Sequence, residues 1–204
     1  MSAVEMVELS SAREESRTKR LKAATHEAHE RLDKFIIAAD PFASRPRYGR
    51  FLMMQYLFHR DLDALFFMPA LDAMLPDLEG RRRLKLIEQD FADLDLRLPD
   101  TEEPPRFSAA SGVDVVEALG WLYVIEGSNL GAAFLLKYAS KLDLNENFGA
   151  RHLAGAPEGR GLHWRTFTAA VDRMDLGNSQ ERSVIAGAEA AFRHVQRVAE
   201  ETFR

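Results

Sequence analysis

The chain has 204 residues, a length that suggests one domain able to bury a substantial core without staples. It contains no cysteine, which excludes disulfides, thiolate ligands and cysteine nucleophiles. With 27 Lys+Arg against 32 Asp+Glu the net charge is -5, which argues against general nucleic-acid binding, and the Arg81-Arg82-Arg83 cluster reads as a solvated helix face.

Residues 1–14 are polar, and a flexible N-terminus is expected there, with the domain itself spanning 15–204. The first segment has no apolar core of signal-peptide length. No run approaches the roughly 18 apolar residues of a membrane span, because Glu126 and Lys137 break the longest candidate. A cytoplasmic protein that engages no membrane is therefore expected.

From about Glu15 to Ile37 the pattern is helical, with Leu21, Ala24, Ala28, Leu32, Phe35 and Ile36 on one face. Asp40-Pro41 punctuates it, and Ser44 or Arg45 caps the next helix, with Pro46 in its first turn. That helix should run through residues 47–67, followed by a short piece after Pro69 that reaches Met74. Another helix is expected over 81–98, then a loop over 99–112. A long apolar helix then starts near Asp114 and continues towards Leu142. After a Gly- and Asn-rich stretch, two more helices cover about Leu162–Met174 and Ser179–Thr202, with Asn178 or Ser179 as cap. No segment alternates convincingly with period two, so the chain reads as an all-α domain of about seven or eight helices.

The long helix carries Gly120, Gly127 and Gly131, which fall within about 40° of one another at roughly 100° per residue. Each costs about 1 kcal/mol relative to alanine. Such a stripe fits either close packing against another helix or a flat ligand approaching bare backbone. Among the six histidines, His29 borders the apolar face of the first helix and His26 points further towards solvent. His29 has the character of an axial iron ligand, but a core-edge histidine bonded to a carbonyl has the same spacing. Lys22 lies two turns before His29, about 10.5 Å along the same line. Gln55 and His59 share a stripe with Phe51, Leu52 and Leu62, and imply either a polar network or ordered water. His152, His163 and His194 show no pattern that assigns them a chemical role. Di-iron carboxylate, zincin, Walker and nucleophile-elbow motifs are absent.

Two stretches together, KRLKAATHEAHERLD and GWLYVIEGSNLGAAFLLK, resemble the proximal and distal helices of the haem oxygenase family, bacterial branch. DLNENFGARHL and GRGLHWRTF fit the same branch, so the resemblance covers Lys19 to Phe203. It implies a single-domain helical fold with haem sandwiched between a proximal and a kinked distal helix. Carried over by position, His29 is the iron ligand, and Gly127 and Gly131 let the distal helix bend over the haem. Ser128 and Asn129 are distal polar groups near bound O2, and Gln55 and His59 hold a distal water network. Lys22 and Tyr123 hold the propionates, and Phe167 is a pocket wall. The aspartate that the mammalian-type segment carries after its glycines is missing here.

The reaction so implied is oxidative opening of haem at a meso carbon, the α position expected, to biliverdin, carbon monoxide and ferrous iron. Haem is then both substrate and cofactor, and O2 the oxidant. Electrons come from a ferredoxin or an NAD(P)H-dependent reductase docking on a basic patch, and a monomer is expected. A haem carrier on the same scaffold stays open, whereas a thiaminase-type enzyme would need a cysteine.

Overall fold

The computed structural model describes residues 16–108 and 112–204, so the expected N-terminal segment 1–14 and positions 109–111 of the expected loop lie outside the described residues. Among the described residues there are seven α-helices and no strand. They are α1 (Arg17–Ala39), α2 (Arg45–Leu62), α3 (Pro69–Asp72), α4 (Leu84–Asp93), α5 (Val115–Ala139), α6 (Arg160–Arg173) and α7 (Asn178–Thr202). Short 3-10 turns cover Asp63–Phe67, Glu79–Arg81, Ser140–Leu142 and Arg151–Leu153.

Helix α5 is the axis of the bundle. Its N-cap, Asp114, accepts from the backbone N–H of Val116 and Glu117 at 2.9 and 3.2 Å, satisfying donors that a helix start leaves free. Every residue from Ala118 to Val124 except Tyr123 is buried, whereas Leu130, Phe134 and Tyr138 in the second half are exposed. The helix thus leaves the core partway along. Extended to Leu142 it is long and apolar enough to cross a membrane by length and composition, which the charge-based reading missed, and half of its most apolar window is buried inside the bundle.

The most extensive packing is α5 against α7. Glycine makes it possible: a Cβ on Gly120 would sit 2.1 Å from the Val184 carbonyl oxygen, and one on Gly187 would sit 2.0 Å from that of Glu117. The two backbones therefore touch at this crossing, and Gly120 belongs to helix packing. Helix α1 lies along the same α7 and touches α6, without being among the close packing partners of α5. Its start is fastened from α6 and α7. Arg17 donates to the carbonyls of Val171 and Met174 and pairs with Glu181 at 2.6 Å. Asp172 accepts from Thr18 N–H and hydroxyl at 2.8 and 2.9 Å.

Three expectations change. The predicted apolar face of α1 is fully buried only at Leu21; Ala28, Leu32, Phe35 and Ile36 are half-buried and Ala24 is exposed, because α1 lies on the outside of the bundle. The helix expected over 81–98 is confined to Leu84–Asp93, since Asp95 turns left-handed at φ 52° and the chain leaves the helix there. The helix expected over 47–67 passes into a 3-10 turn after Leu62. The cap of α2 is as read, with Ser44 accepting from Arg47 N–H and Pro46 in the first turn. The cap of α7 is Gly177, not Asn178 or Ser179.

Candidate functional site

Two exposed faces carry most of the residues singled out in the sequence. The first is the second half of α5. A Cβ added to Gly127 would meet only the Trp164 ring edge, at 3.8 Å, and one added to Gly131 would meet nothing within 4 Å. These two glycines therefore make no room for any neighbour within the chain, in contrast to Gly120. Around them the face is apolar, with Leu130, Phe134 and Tyr138 exposed, and Phe134 is 73 % accessible. A contiguous apolar exposure beside bare helix backbone is a surface suited to a flat apolar ligand.

The second face is on α1. The His29 side chain is 60 % exposed, so it stands out from the core instead of bordering it, and His26 is equally exposed. Their surroundings separate them. His29 places its ring edge-on to Phe192 of α7, 5.7 Å between centroids, with Nδ1 3.3 Å from Asp33 Oδ2, which leaves Nε2 pointing elsewhere. His26 only pairs with Glu30 one turn along, at 3.3 Å. Lys22 is exposed on the same helix. No group of three or more His, Asp or Glu side chains able to hold a metal ion occurs among the described residues. Any iron ligated by His29 alone would have to arrive already held by another chelator, as a porphyrin holds it.

Along α5, Ser128 is exposed and its hydroxyl donates to the Ile125 carbonyl at 2.7 Å. Asn129 is half-buried; its backbone carbonyl accepts from Arg160 at 2.8 Å, and its amide lies 3.5 Å from Glu126 Oε1. Both contacts draw on helix carbonyls, a recurrent way to bend a helix. Tyr123 is half-buried and packs on Trp164, 5.6 Å between centroids, and burial raises its phenol pKa. Phe167 is fully buried, stacked behind Trp164 at 5.9 Å and covered by the Arg81 guanidinium. The ring that reaches the Gly127 side is therefore Trp164, and Phe167, expected as a wall, supports it from within the core.

Behind α5 lies a cluster of buried polar side chains that sequence reading saw only in part. His59 is 3 % exposed, its Nδ1 has no partner, and burial, with the charges of His152 and Arg83, pushes its pKa down to about 3. Gln55 is half-buried one turn before it. His152 is fixed by Asp90, which meets its Nδ1 at 2.7 Å and also accepts the backbone N–H of Arg151 and His152. Arg81 and Arg83 are buried, which corrects the reading of that cluster as a solvated face. Arg81 donates to Glu126 at 2.7 Å, and Arg82 pairs with Asp63. His59 Nδ1, Arg83 Nε, His152 Nε2 and His163 Nε2 all lack hydrogen-bond partners. Buried polar atoms are rarely left so, and ordered water is the usual partner. Glu126, Arg81, His152 and His163 escaped the sequence reading because the partners that bury with them lie 37 to 62 residues away.

A helical bundle with two exposed histidines on an outer helix, a glycine-bared long helix and a cluster of buried polar groups suits a flat, metal-bearing ligand. The family model described as "Heme oxygenase" matches residues 15–201. The chain is 42 % identical over 193 residues to the haem oxygenase PigA of Pseudomonas aeruginosa, covering 95 % of this chain and 96 % of that one. In structure it is similar to the NO- and CO-bound haem oxygenase of Neisseria meningitidis, with a TM-score of 0.85, 40 % identity and 92 % of each chain covered. It also shares its fold with haem oxygenase 2 of Chlamydomonas reinhardtii, determined without haem, at a TM-score of 0.73 and 17 % identity over 91 % and 97 % of the chains. The chain belongs to the haem oxygenase family. It is an oxidoreductase of that all-helical fold.

Proposed function

We propose that the domain, residues 15–204, binds haem between the exposed faces of α1 and α5 and opens its ring with O2 and external electrons. The observation that carries this reading is the pair Gly127 and Gly131, whose absent side chains make room for nothing in the chain itself. When bound, haem supplies the iron that takes up O2 and is itself oxidised at one meso carbon, giving biliverdin, carbon monoxide and ferrous iron.

The chain supplies position and protons. Asp33 Oδ2 lies 3.3 Å from His29 Nδ1, so Nε2 is the ring nitrogen that would hold the iron. Lys22 and Tyr123 take the propionates and fix the in-plane orientation, and so which meso carbon is attacked; the α position is the expected one. Gly127 and Gly131 let the α5 backbone lie against the porphyrin and crowd the oxygen side, while Ser128 and Asn129 shape the backbone there. Trp164, supported by Phe167, closes the side next to Gly127. His59, held neutral, and Gln55 bind water that delivers protons to the reacting side. Orientation and proton supply are the protein's contribution in such chemistry. Electrons come from a ferredoxin or NAD(P)H-dependent reductase, and the protein acts as a cytoplasmic monomer.

Hemin titration tests the reading directly. Wild-type protein should develop a Soret band on adding hemin, and with reductant under air should yield biliverdin. His29→Ala should lose the native six-coordinate spectrum, and His26→Ala should keep it. The opposite pattern refutes the ligand assignment, and a hemin complex that survives reductant and air makes the protein a carrier.

A further inference from the structure

Three side chains with no part in the proposed function form a line from solvent to the back of α5. Glu158, ahead of α6, is 42 % exposed in its side chain and meets His163 Nδ1 at 2.6 Å. His163 is buried, and its other nitrogen, Nε2, lies 3.5 Å from Glu126 Oε2 with no hydrogen-bond partner of its own. Glu126 is 2 % exposed and reaches with Oε1 to within 3.5 Å of the Asn129 amide, on α5 between the two open glycines.

We propose that Glu158, His163 and Glu126 are the proton inlet from bulk solvent to the buried polar cluster behind α5. This rests on the haem oxygenase reading for its purpose, since reducing O2 consumes protons as well as electrons. A carboxylate at the surface, an imidazole bridging with both nitrogens and a buried carboxyl make the simplest relay three side chains can form. The proton moves without electrons. Glu158 takes it from water and passes it to Nδ1; the imidazolium releases its Nε2 proton to Glu126 Oε2; a proton shift from Nδ1 to Nε2 then restores the starting tautomer. Glu126 then passes the proton on, through water, towards the cluster of Arg83 and His59, both of which keep an unpartnered nitrogen.

The charges around the relay suit the task. Arg81 holds Glu126 by Nη1 at 2.7 Å and is itself fixed by the carbonyls of Pro76 and His163 and by the Phe167 ring. The Arg83 charge bears on Glu126 and Glu158 alike, and that of Arg81 on both as well. Arg160 stands at Asn129, and His152 acts on His59. Burial raises the Glu126 pKa against the pull of Arg81, His163 and Arg83, so its carboxyl takes up a proton more readily than an exposed one. A buried Arg–Glu pair is a weak source of stability, which leaves room for a second reason to keep it.

The haem-free protein gives the first test. At acid pH, infrared spectra should contain the C=O stretch of protonated Glu126, identified by its loss in Glu126→Gln. On transfer to D2O that band should shift about tenfold more slowly in His163→Gln than in wild type, a loss below the factor of about 100 or more for a positioned acid or base because water leaks in. Glu158→Gln changes only a surface group and so keeps its fold; it should slow the exchange too. In the hemin complex both variants should retain hemin affinity and spectrum, with single-turnover ring opening slowed by a similar factor, the solvent deuterium isotope effect increased and the pH profile displaced. Exchange as fast as wild type in both variants overturns the inlet. If wild type binds no hemin or forms no biliverdin, the functional reading falls, while the exchange measurement still decides whether the three residues conduct protons.

Discussion

The two kinds of glycine on α5 should respond oppositely to the same one-carbon change. In Gly131→Ala the new Cβ has no atom within 4 Å, so nothing offsets the gain of about 1 kcal/mol from replacing glycine inside a helix. For a domain of this size that raises the melting temperature of haem-free protein by about 2–4 °C. The same methyl lies on the face proposed to contact the porphyrin, so hemin binding should weaken. In Gly120→Ala the Cβ would fall 2.1 Å from the Val184 carbonyl oxygen and 2.4 Å from the Ala188 nitrogen. Both are backbone atoms, so the helices themselves have to separate. Overpacking of this kind costs about 1–3 kcal/mol or more, outweighing the helix gain. Thermal melts of haem-free protein and hemin titrations followed at the Soret band read both effects. A Gly131→Ala protein that is more stable and binds hemin as tightly as wild type refutes the ligand-facing assignment. A stable Gly120→Ala protein refutes the packing account of that crossing.

The buried polar groups make two further predictions. Arg81→Met leaves the Glu126 carboxylate, 2 % exposed, without its strongest partner and should cost roughly 3–5 kcal/mol in denaturant unfolding. Adding Glu126→Gln to the same chain should recover a large part of that loss, and an Arg81→Met protein as stable as wild type would disprove the pairing. His59 has a folded-state pKa of about 3 against an ordinary 6.5, so the unfolded chain binds the extra proton between these values. Its contribution to stability is then complete above pH 6.5 and is lost as pH falls towards 3. His59→Gln should flatten the stability profile across that window; an unchanged acid limb would place the sensitivity elsewhere.

Local chemistry explains which parts of the fold were legible. The start of α5 is set by Asp114, that of α2 by Ser44 and Pro46, and the extents of α1 and α7 by long periodic runs; all of these signals lie within a few residues of what they control. The overlong helix at 81–98 failed because its leucines continue the helical pattern while Asp95 adopts a left-handed turn, a choice pattern alone does not reveal. Arg81 and Arg83 read as solvated because charge is normally exposed, and only the folded chain brings Glu126 to them. The candidate site was legible as a list: the exposed glycines and His29 could be named from motif and periodicity. Its second layer was not. Trp164 rather than Phe167 reaches the Gly127 side because α6 is rotated to bury His163 and Phe167 together.

That rotation ties the two sides of α5 together. Arg160, at the first residue of α6, donates to the Asn129 carbonyl, and Ser128 donates to the carbonyl of Ile125, three positions before it. Helix carbonyls that also serve other donors weaken the ladder locally, so this is where α5 can bend. Those carbonyls flank Gly127 and Gly131, whose missing side chains leave open space within the chain. Glu126 anchors the preceding turn to Arg81. The buried half of α5 is fixed by Arg81 and by the glycine crossing with α7, whereas the exposed half has no such anchor at Gly127 and Gly131. Trp164 beside Gly127 and His163 beside Glu126 both sit on α6, so on the proposed reading a change in α6 position would alter the haem-facing wall and the proton inlet together.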